Sequence, residues 1–291
     1  MRIVIDMQGA QTESRFRSIG RYIVSFVQAL VRTRGDPEII LALSGLLPET
    51  IAPIRAAFDG MLPQENIRIW HALGPVKEEQ PDNDTRREAS ELIREAFLAG
   101  LKPDVILISS LFEGYVDDAI TSVSRFDTET PLSVILYNLN PQLNHEHYLE
   151  PNQSYEQYYQ RKVEYLKSVA LHFAISDFSR QKGMDTLSIS AGKLIAISSA
   201  PNSNFHPQPI SDKSANELRT RFGITRPFIL DASSAEENKY VSSMIASYAT
   251  LPTSMRLAHQ LIFAGKMPEG DITRFREIAR TAGLNNDEVL F

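Results

Sequence analysis

The sequence of 291 residues contains no cysteine, which excludes disulfide bonds and thiolate metal sites. It also has no apolar run long enough to cross a bilayer, and its N-terminus lacks the pattern of a signal peptide. We therefore expect a cytoplasmic protein. Acidic residues outnumber basic ones by 36 to 30, and the formal net charge of −6 argues against a general nucleic-acid-binding protein.

Several motifs that identify common classes of enzyme are also absent. The first loop has only Gly9 and Gly20, so it lacks the Gly-x-Gly-x-x-Gly pattern of dinucleotide-binding enzymes. A P-loop, a His-Glu-x-x-His zinc motif and a Gly-x-Ser-x-Gly nucleophile elbow are missing too. His145 and His147 stand two residues apart, a spacing more typical of an exposed polar loop than of a metal site. We therefore predict no metal site.

The first 34 residues contain the unit around which we expect the rest of the chain to be organised. Arg2–Asp6 is a short β-branched run, typical of a strand buried on both faces. A polar loop follows from Met7 to Ser18, and Ser18 is the predicted N-cap of a helix. Since ligands of open α/β sheets bind beyond the carboxyl ends of strands, we expect Gln8–Arg21 to form one wall of a binding cleft. The helix places apolar residues on one face: Tyr22, Ile23, Phe26, Val27 and Leu30.

The rest of the chain alternates predicted strands with predicted helices, which indicates α/β units with a mostly parallel sheet and right-handed crossovers. Further strands are expected at 38–43, 66–70, 104–108, 132–137, 171–175, 194–197, 227–231, 260–264 and 288–291. Helices are expected at 48–58, 85–99, 154–169, 216–222, 239–248 and 272–282, with another beginning near Asp177 after a Ser176 cap. The residues between the fifth strand and the next helix, 138–148, are expected to form a polar loop.

A change in composition divides the chain into two predicted domains. Residues 1–198 form the first, residues 199–214 a proline-containing linker, and residues 215–291 the second. The second domain would have about three strands, fewer than the six or so of a complete doubly wound sheet. We therefore expect a chain truncated within the second domain; the alternative is that another chain or copy covers the open sheet edge.

Short segments in a fixed order carry a resemblance to a known family. In the first domain they are 19–22, 136–141, 147–149, 173–180 and 193–197. In the second they are 228–230, 237–239 and 259–265. Together they resemble the retaining, nucleotide-sugar-dependent glycosyltransferases of family 4, which have the GT-B architecture.

The resemblance implies two Rossmann-like domains facing a cleft, the second incomplete in this chain. The first domain would mainly hold the acceptor, a glycan or lipid-linked saccharide, and the second would bind the nucleotide sugar. The implied reaction transfers a sugar with retention of configuration, and it uses the nucleotide sugar as a substrate with no separate cofactor. Such enzymes can also contact the inner face of a membrane.

Six residues are predicted on the acceptor side: Gly9, Gly20, Arg21, Asn138, Asn140 and His145. The glycines would let a phosphate or sugar approach the backbone, and Arg21 would pair with an anion. The asparagines would hydrogen-bond sugar hydroxyls, and His145 would carry a proton. The alternatives are that Gly20 and Arg21 merely begin a helix, that the asparagines form turns before a proline, and that His145 is a solvated loop residue.

On the donor side we predict Lys239, Gly265 and Lys266, whose lysines would neutralise the leaving diphosphate. Ordinary exposed lysines are the alternative. No residue is assigned as catalytic. The tyrosines of the 154–169 helix can stack on sugars, but a core position is the safer interpretation.

The sequence departs from the family pattern in four places, and the first two departures favour a second hypothesis. Tyr137-Asn138 replaces His-Asp, and Glu237-Asn238-Lys239 replaces Arg-Lys-Asn. Asn202-Ser203-Asn204 has no glycine before Phe205, and a Glu-x7-Glu segment would lie beyond Phe291. The chain alone would then lack most of its donor site and have little or no activity. A non-catalytic sugar-binding or partner-assembly module is the main alternative, and a sugar-phosphate isomerase or epimerase is a weaker one.

Overall fold

The computed structural model describes residues 1–200, 206–232, 238–265 and 267–291, without the side chains of residues 238 and 239. The chain divides into two compact units, Met1–Asn202 and Ser203–Phe291. Each contains a parallel sheet covered by helices, which confirms the predicted α/β class with two Rossmann-like units. No helix in the described ranges has both the length and the apolar character needed to span a membrane.

The first unit is built on a seven-stranded parallel sheet of order β3-β2-β1-β4-β5-β6-β7. The strands are β1 (Arg2–Asp6), β2 (Glu38–Ser44), β3 (Ile67–Trp70), β4 (Val105–Ile108), β5 (Leu132–Leu136), β6 (Leu171–Ala174) and β7 (Leu194–Ala196). The helices are α1 (Ser18–Thr33), α2 (Ile51–Ala57), α3 (Asp84–Gly100), α4 (Asn140–Leu143), α5 (His145–Tyr148), α6 (Gln153–Ser168) and α7 (Asp177–Leu187).

Strand β1 lies at the centre of this sheet and is buried on both faces, as its sequence predicts. Ile5 packs into the core that contains Ile23 and Val27 of α1, while Val4 packs on the other face with Leu98 of α3. The chain passes from β1 to β2 and β3 on one side and then returns to β4 on the other. This reversal leaves a crevice between the carboxyl ends of β1 and β4, where open α/β sheets bind ligands.

The predicted N-cap of α1 is wrong. The helix begins at Ser18, but its N-cap position is Arg17, which makes no side-chain capping bond. A 3-10 turn, Glu13–Phe16, runs directly into α1. The side chain of Thr12 caps that turn by accepting a hydrogen bond from the backbone N–H of Ser14 at 3.3 Å. The side-chain cap therefore belongs to the turn that precedes α1 and not to α1 itself.

Residues 138–148 are also not the continuous loop that the sequence predicts, because they contain the short helices α4 and α5. Pro141 does not prevent α4, since proline is tolerated in the first turn of a helix. The Oδ1 atom of Asn138 accepts a hydrogen bond from the backbone N–H of Asn140 at 3.1 Å and stabilises this turn. The predicted Ser176 cap is confirmed, since its Oγ accepts from the N–H of Ser179 at 3.0 Å.

The second unit has a three-stranded parallel sheet of order β10-β9-β8 in its described part. Its elements are α8 (Asp212–Phe222), β8 (Phe228–Asp231), α9 (Asn238–Ala249), α10 (Thr253–Ala258), β9 (Gln260–Phe263), α11 (Glu269–Thr281) and β10 (Val289–Leu290). Helix α8 begins inside the predicted linker, because Ser211 caps it through the N–H of Ser214 at 3.2 Å. Linker residues 201–205 lie outside the described ranges.

A buried ion pair fixes the carboxyl end of β1. Both Asp6 and Arg94 of α3 have side chains only 1% exposed, and Arg94 donates to Asp6 Oδ2 from Nε at 2.8 Å and from Nη2 at 2.5 Å. Gln8 also donates to this carboxylate through its backbone N–H and its side-chain amide. Each polar group of the pair is therefore hydrogen-bonded, as buried charges require.

We expect Arg94→Ala to lower the free energy of unfolding by about 3–5 kcal/mol, because it leaves the Asp6 carboxylate buried without its cation. Trp70 is the sole tryptophan and lies buried in the first unit, so urea unfolding followed by its fluorescence reports on this unit. Lys167→Ala, which removes an exposed ion pair with Glu164, is the control and should change the value by less than about 1 kcal/mol. If both variants lower the free energy of unfolding by the same amount, the buried ion pair does not have the stabilising role that we give it.

Candidate functional site

A cavity of about 330 Å³ opens at the carboxyl edge of the first sheet, beside the crevice between β1 and β4. The loops that follow β1, β4 and β5 line it, together with the first turn of α1, the end of β5 and helix α6. The polar and aromatic lining residues are Glu13, Ser14, Arg17, Ser110, Phe112, Glu113, Tyr115, Asp117, Tyr137, Asn138, Tyr155 and Tyr159. Glu13, Ser14 and Arg17 belong to the segment Gln8–Arg21 that was predicted to form one wall of a binding cleft, so part of that segment lines this cavity.

The carboxylate of Glu113 joins the two loops that meet at this crevice. Its Oε2 atom accepts hydrogen bonds from Thr12 Oγ1 at 2.9 Å and Ser14 Oγ at 3.2 Å, both in the loop after β1. Its Oε1 atom accepts from Ser110 Oγ at 2.8 Å, in the loop after β4. Burial raises the pKa of Glu113, although the three hydroxyl groups and the charge of Arg17 act in the opposite direction.

Asp117 is a second acidic group on the same cavity. Burial raises its pKa to about 6, and the charge of Glu113 acts in the same direction. The backbone N–H of Ala119 donates to its Oδ1 at 2.9 Å, which fixes the carboxylate. Within the described ranges, no group of three or more histidine and acidic side chains is placed to hold a metal ion. Burial therefore raises the pKa of both carboxyl groups on this cavity, Glu113 and Asp117. Their oxygen atoms can accept hydrogen bonds from hydroxyl groups.

Aromatic rings form another part of the lining. Phe112 stacks on Tyr159 with a centroid distance of 4.9 Å, and Tyr155 contacts Tyr115 edge-on at 4.9 Å. Tyr158 and Tyr159 are buried in the core, as the safer interpretation of this helix predicts, whereas Tyr155 is only partly buried. A lining that combines hydroxyl acceptors with aromatic rings is suited to a ligand that has both polar groups and apolar faces.

The two predicted glycines allow close packing of the backbone around this cavity. A Cβ atom at Gly9 would lie 2.5 Å from Ser110 Cβ and 2.6 Å from Ile23 Cδ1. A Cβ atom at Gly20 would lie 2.4 Å from Arg15 Cα and 2.4 Å from the carbonyl oxygen of Ser14. Both glycines therefore let the loop after β1 lie against its neighbours, and Gly20 sets the position of the turn that carries Ser14.

Of the six residues predicted on the acceptor side, Asn138 is the one that lines the cavity in the described structure. Arg21 is exposed on α1, and Asn140 is exposed at the start of α4. The Nε2 atom of His145 lies 2.7 Å from the carboxylate of Glu156, so this histidine links α5 to α6. The six residues are not brought together into one site, and their ligand roles stay predictions.

The donor-side residues are less fully described. Gly265 is exposed just after the carboxyl end of β9, in the second unit. Lys239 lies in α9, but its side chain is outside the described part of the structure, as is the whole of Lys266. Their roles toward a diphosphate stay predictions.

Sequence reasoning missed Glu113, Asp117 and Ser14. The loop that holds Ser14 was predicted, but no role was assigned to the two acids, because the sequence does not state which strands are neighbours. One sequence feature could have indicated the site: Glu113 is an acidic residue five positions after Ile108, where a buried strand ends. It becomes informative once β4 is known to lie beside β1, where the sheet changes direction.

No protein-family model matches the sequence. It is 26% identical over 293 residues to the serotype-specific mannosyltransferase WbdA of Escherichia coli, covering 100% of this chain and 35% of that protein. A second WbdA of the same species is 24% identical over 266 residues, covering 91% of this chain and 32% of its own length. The chain therefore spans about a third of the length of the curated relatives that it matches.

Solved structures resemble the chain at lower identity. Anabaena Alr3699/HepE, in complex with UDP and glucose, has a TM-score of 0.57 and 15% identity over 99% of this chain and 68% of that one. WaaG, a glycosyltransferase involved in lipopolysaccharide biosynthesis, has a TM-score of 0.57 and 13% identity over 99% and 69%. The fold is of the GT-B class. A Neisseria meningitidis UDP-GlcNAc 2-epimerase, at a TM-score of 0.50 and 12% identity over 99% of this chain and 71% of that one, has a similar fold, so the fold alone does not select a reaction.

We expect Gly20→Ala to destabilise the first unit by about 1–3 kcal/mol, because its new methyl group would overlap backbone atoms of Ser14 and Arg15. Gly100→Ala is the matched control: it also lies in a helix, and a Cβ atom there has no neighbour within 4 Å. Urea unfolding measured by Trp70 fluorescence should show the control as neutral or more stable. A Gly20→Ala protein as stable as the control would rule out the packing role.

The raised pKa of Asp117 predicts a pH effect on stability. Since its pKa rises from 3.8 to about 6 on folding, the folded state holds the proton more tightly. Its contribution to the free energy of unfolding therefore falls as pH rises through this range and is constant above it. Asp117→Asn lacks this contribution.

We compare the free energy of unfolding of Asp117→Asn with that of the wild type at pH 4 and at pH 7. The variant's value minus the wild-type value should increase by on the order of 1–2 kcal/mol from pH 4 to pH 7. Urea unfolding of both proteins at the two pH values measures the change. A constant difference between them would contradict the assigned environment.

Proposed function

We propose that this chain is the acceptor-binding part of a GT-B glycosyltransferase, together with part of its nucleotide-sugar side. The observation that carries the proposal is the cavity at the carboxyl edge of the first sheet, whose lining combines carboxyl groups with aromatic rings. The reaction would transfer a sugar from a nucleotide sugar to a glycan or lipid-linked saccharide, with retention. The likeness to WbdA makes mannose the first sugar to test.

The chemistry assigns a role to each wall of the cavity. Sugar hydroxyls would donate hydrogen bonds to Asp117, while Tyr155 would pack against the apolar face of the ring. Glu113 would fix the loop after β1 against the loop after β4. It would not bind the sugar with its own oxygen atoms, because the hydroxyl groups of Thr12, Ser14 and Ser110 already donate to them. Lys239 and Lys266 remain our proposed ligands for the leaving diphosphate. We also propose that the enzyme is cytoplasmic and can contact the inner face of the membrane.

One observation favours the alternative of a non-catalytic sugar-binding or partner-assembly module. Tyr137 stands where the resembling family has a histidine, and its hydroxyl donates to the backbone carbonyl of Ser109 at 3.0 Å. Its ring also contacts Tyr22 edge-on at a centroid distance of 5.8 Å. This side chain is therefore held by the protein itself, which suits a structural role. Sugar binding without turnover in the presence of a nucleotide sugar would support this alternative.

Saturation-transfer NMR on the 291-residue chain tests the proposal, with methyl α-D-mannoside and α-1,3-mannobiose as probes. Both should contact the protein, and Tyr155→Ala should weaken the affinity by about threefold to tenfold because it removes an aromatic contact. Phe126→Ala, which truncates an exposed aromatic ring that does not line the cavity, is the control. Absence of saccharide contact, or an unchanged affinity in Tyr155→Ala, would contradict the proposal.

Isothermal titration with UDP and GDP tests the donor side separately. We expect no micromolar binding by these 291 residues, since Glu237-Asn238-Lys239 stands where the resembling family has Arg-Lys-Asn. Micromolar binding of either nucleotide would show that residues 215–291 hold more of the donor site than the sequence predicts.

A further inference from the structure

The charge around the cavity is unbalanced. Among the side chains that line it, Glu13, Glu113 and Asp117 are acidic and Arg17 is basic. Glu13 is mostly exposed and lies 3.6 Å from Arg15, so its charge is partly neutralised and screened. Arg17 is exposed, and its positive charge acts on Glu113. Among the lining side chains that the structure describes, a ligand inside the cavity would therefore meet the two acids Glu113 and Asp117 and the cation Arg17, so that negative charge predominates.

These two carboxylates cannot move away from a ligand. Hydrogen bonds from Thr12, Ser14 and Ser110 occupy both oxygens of Glu113, and the N–H of Ala119 holds Asp117. The charge of Glu113 contributes to the raised pKa of Asp117, so the two carboxylates are close enough for one to act on the other. A third negative charge brought into the same space would meet both of them at low local dielectric.

The remaining polar groups of the cavity suit a neutral ligand. A carboxylate can accept several hydrogen bonds, so Asp117 can take further bonds from ligand hydroxyls. Tyr159 is buried on the cavity wall and, within the described residues, its hydroxyl has no hydrogen bond of normal geometry, although the backbone N–H of Gln142 is close by. The aromatic wall adds area for the apolar face of a ring.

We propose that this cavity selects uncharged sugar rings and excludes sugar acids, with Asp117 as the specificity-determining residue. The inference rests on the proposed function, because it takes the ligand to be a saccharide. The discrimination comes from repulsion between a ligand carboxylate and the fixed acidic pair, together with the hydroxyl bonds that only an alcohol at that position can donate.

The test compares two probes that differ only at C6, methyl α-D-mannopyranoside and methyl α-D-mannopyranosiduronate. Saturation-transfer NMR titrations use the 291-residue chain at pH 8, where Asp117 is ionised. The neutral sugar should bind at least about tenfold more tightly than the acid, and the ratio should shrink as salt is raised from 20 to 500 mM, because salt screens charge repulsion.

Asp117→Asn should raise the affinity for the uronate by at least about fivefold and change that for the neutral sugar less, since the amide keeps an acceptor but removes the charge. Asp36→Asn is the matched control, because Asp36 is exposed in the bend before β2, at the opposite edge of the sheet. It should leave both affinities unchanged. Trp70 fluorescence and circular dichroism confirm the folded state of each variant.

The outcomes separate the inference from the function on which it rests. Equal binding of both sugars by the wild type, or an unchanged ratio in a folded Asp117→Asn protein, would overturn the selectivity and leave saccharide binding standing. If neither sugar contacts the protein, the proposed function fails and the inference with it. The wild-type ratio and its salt dependence decide the matter even if Asp117→Asn does not fold.

Discussion

The ion pair between Asp6 and Arg94 is the constraint on which the first unit depends. It joins the central strand to the helix that covers one face of the sheet, at the point where the chain leaves the strand. Two buried charges without solvent are stable only with complementary geometry, and the hydrogen bonds from Gln8 complete it. The position of the loop after β1 is thus set before any ligand arrives.

From that fixed point the cavity is assembled by a series of side-chain bonds. Gln8 also accepts from the backbone N–H of Ile120 at 2.8 Å, which fixes the segment just past Asp117. Thr12 and Ser14 bond Glu113, and Tyr158 of α6 donates to the carbonyl oxygen of Glu113 at 2.9 Å. The carboxylates and the aromatic rings are therefore positioned by a preformed framework, which lowers the entropy lost when a ligand binds.

The sequence predicted the elements better than the site, and the reason is physical. Central strands such as β1 and β4 are continuous β-branched or aliphatic runs, and Ser176 is a local capping signal, so both can be recognised from neighbouring residues alone. The start of α1 was misassigned because a 3-10 turn, which has little sequence signature of its own, precedes it. The helices in 138–148 were missed because proline and asparagine were given their usual loop meaning.

The candidate site depends on residues that are distant in the chain, so local patterns could not reveal it. Glu113 and Thr12 are 101 positions apart and meet only because β4 lies beside β1. Gly9 and Gly20 are predicted to let a ligand approach the backbone, but the neighbours that leave no room for a side chain there, Ser110 and the turn at Ser14, become evident only in three dimensions.

This separation has a consequence for synthesis on the ribosome. The cavity needs the loop after β1, the loop after β4 and helix α6, so its walls come together only once the chain has emerged past residue 168. Contacts of such long range form late, because the entropy of closing a large loop must be offset first. A nascent chain stalled before that point would hold the early strands but would lack the aromatic part of the cavity lining that α6 supplies.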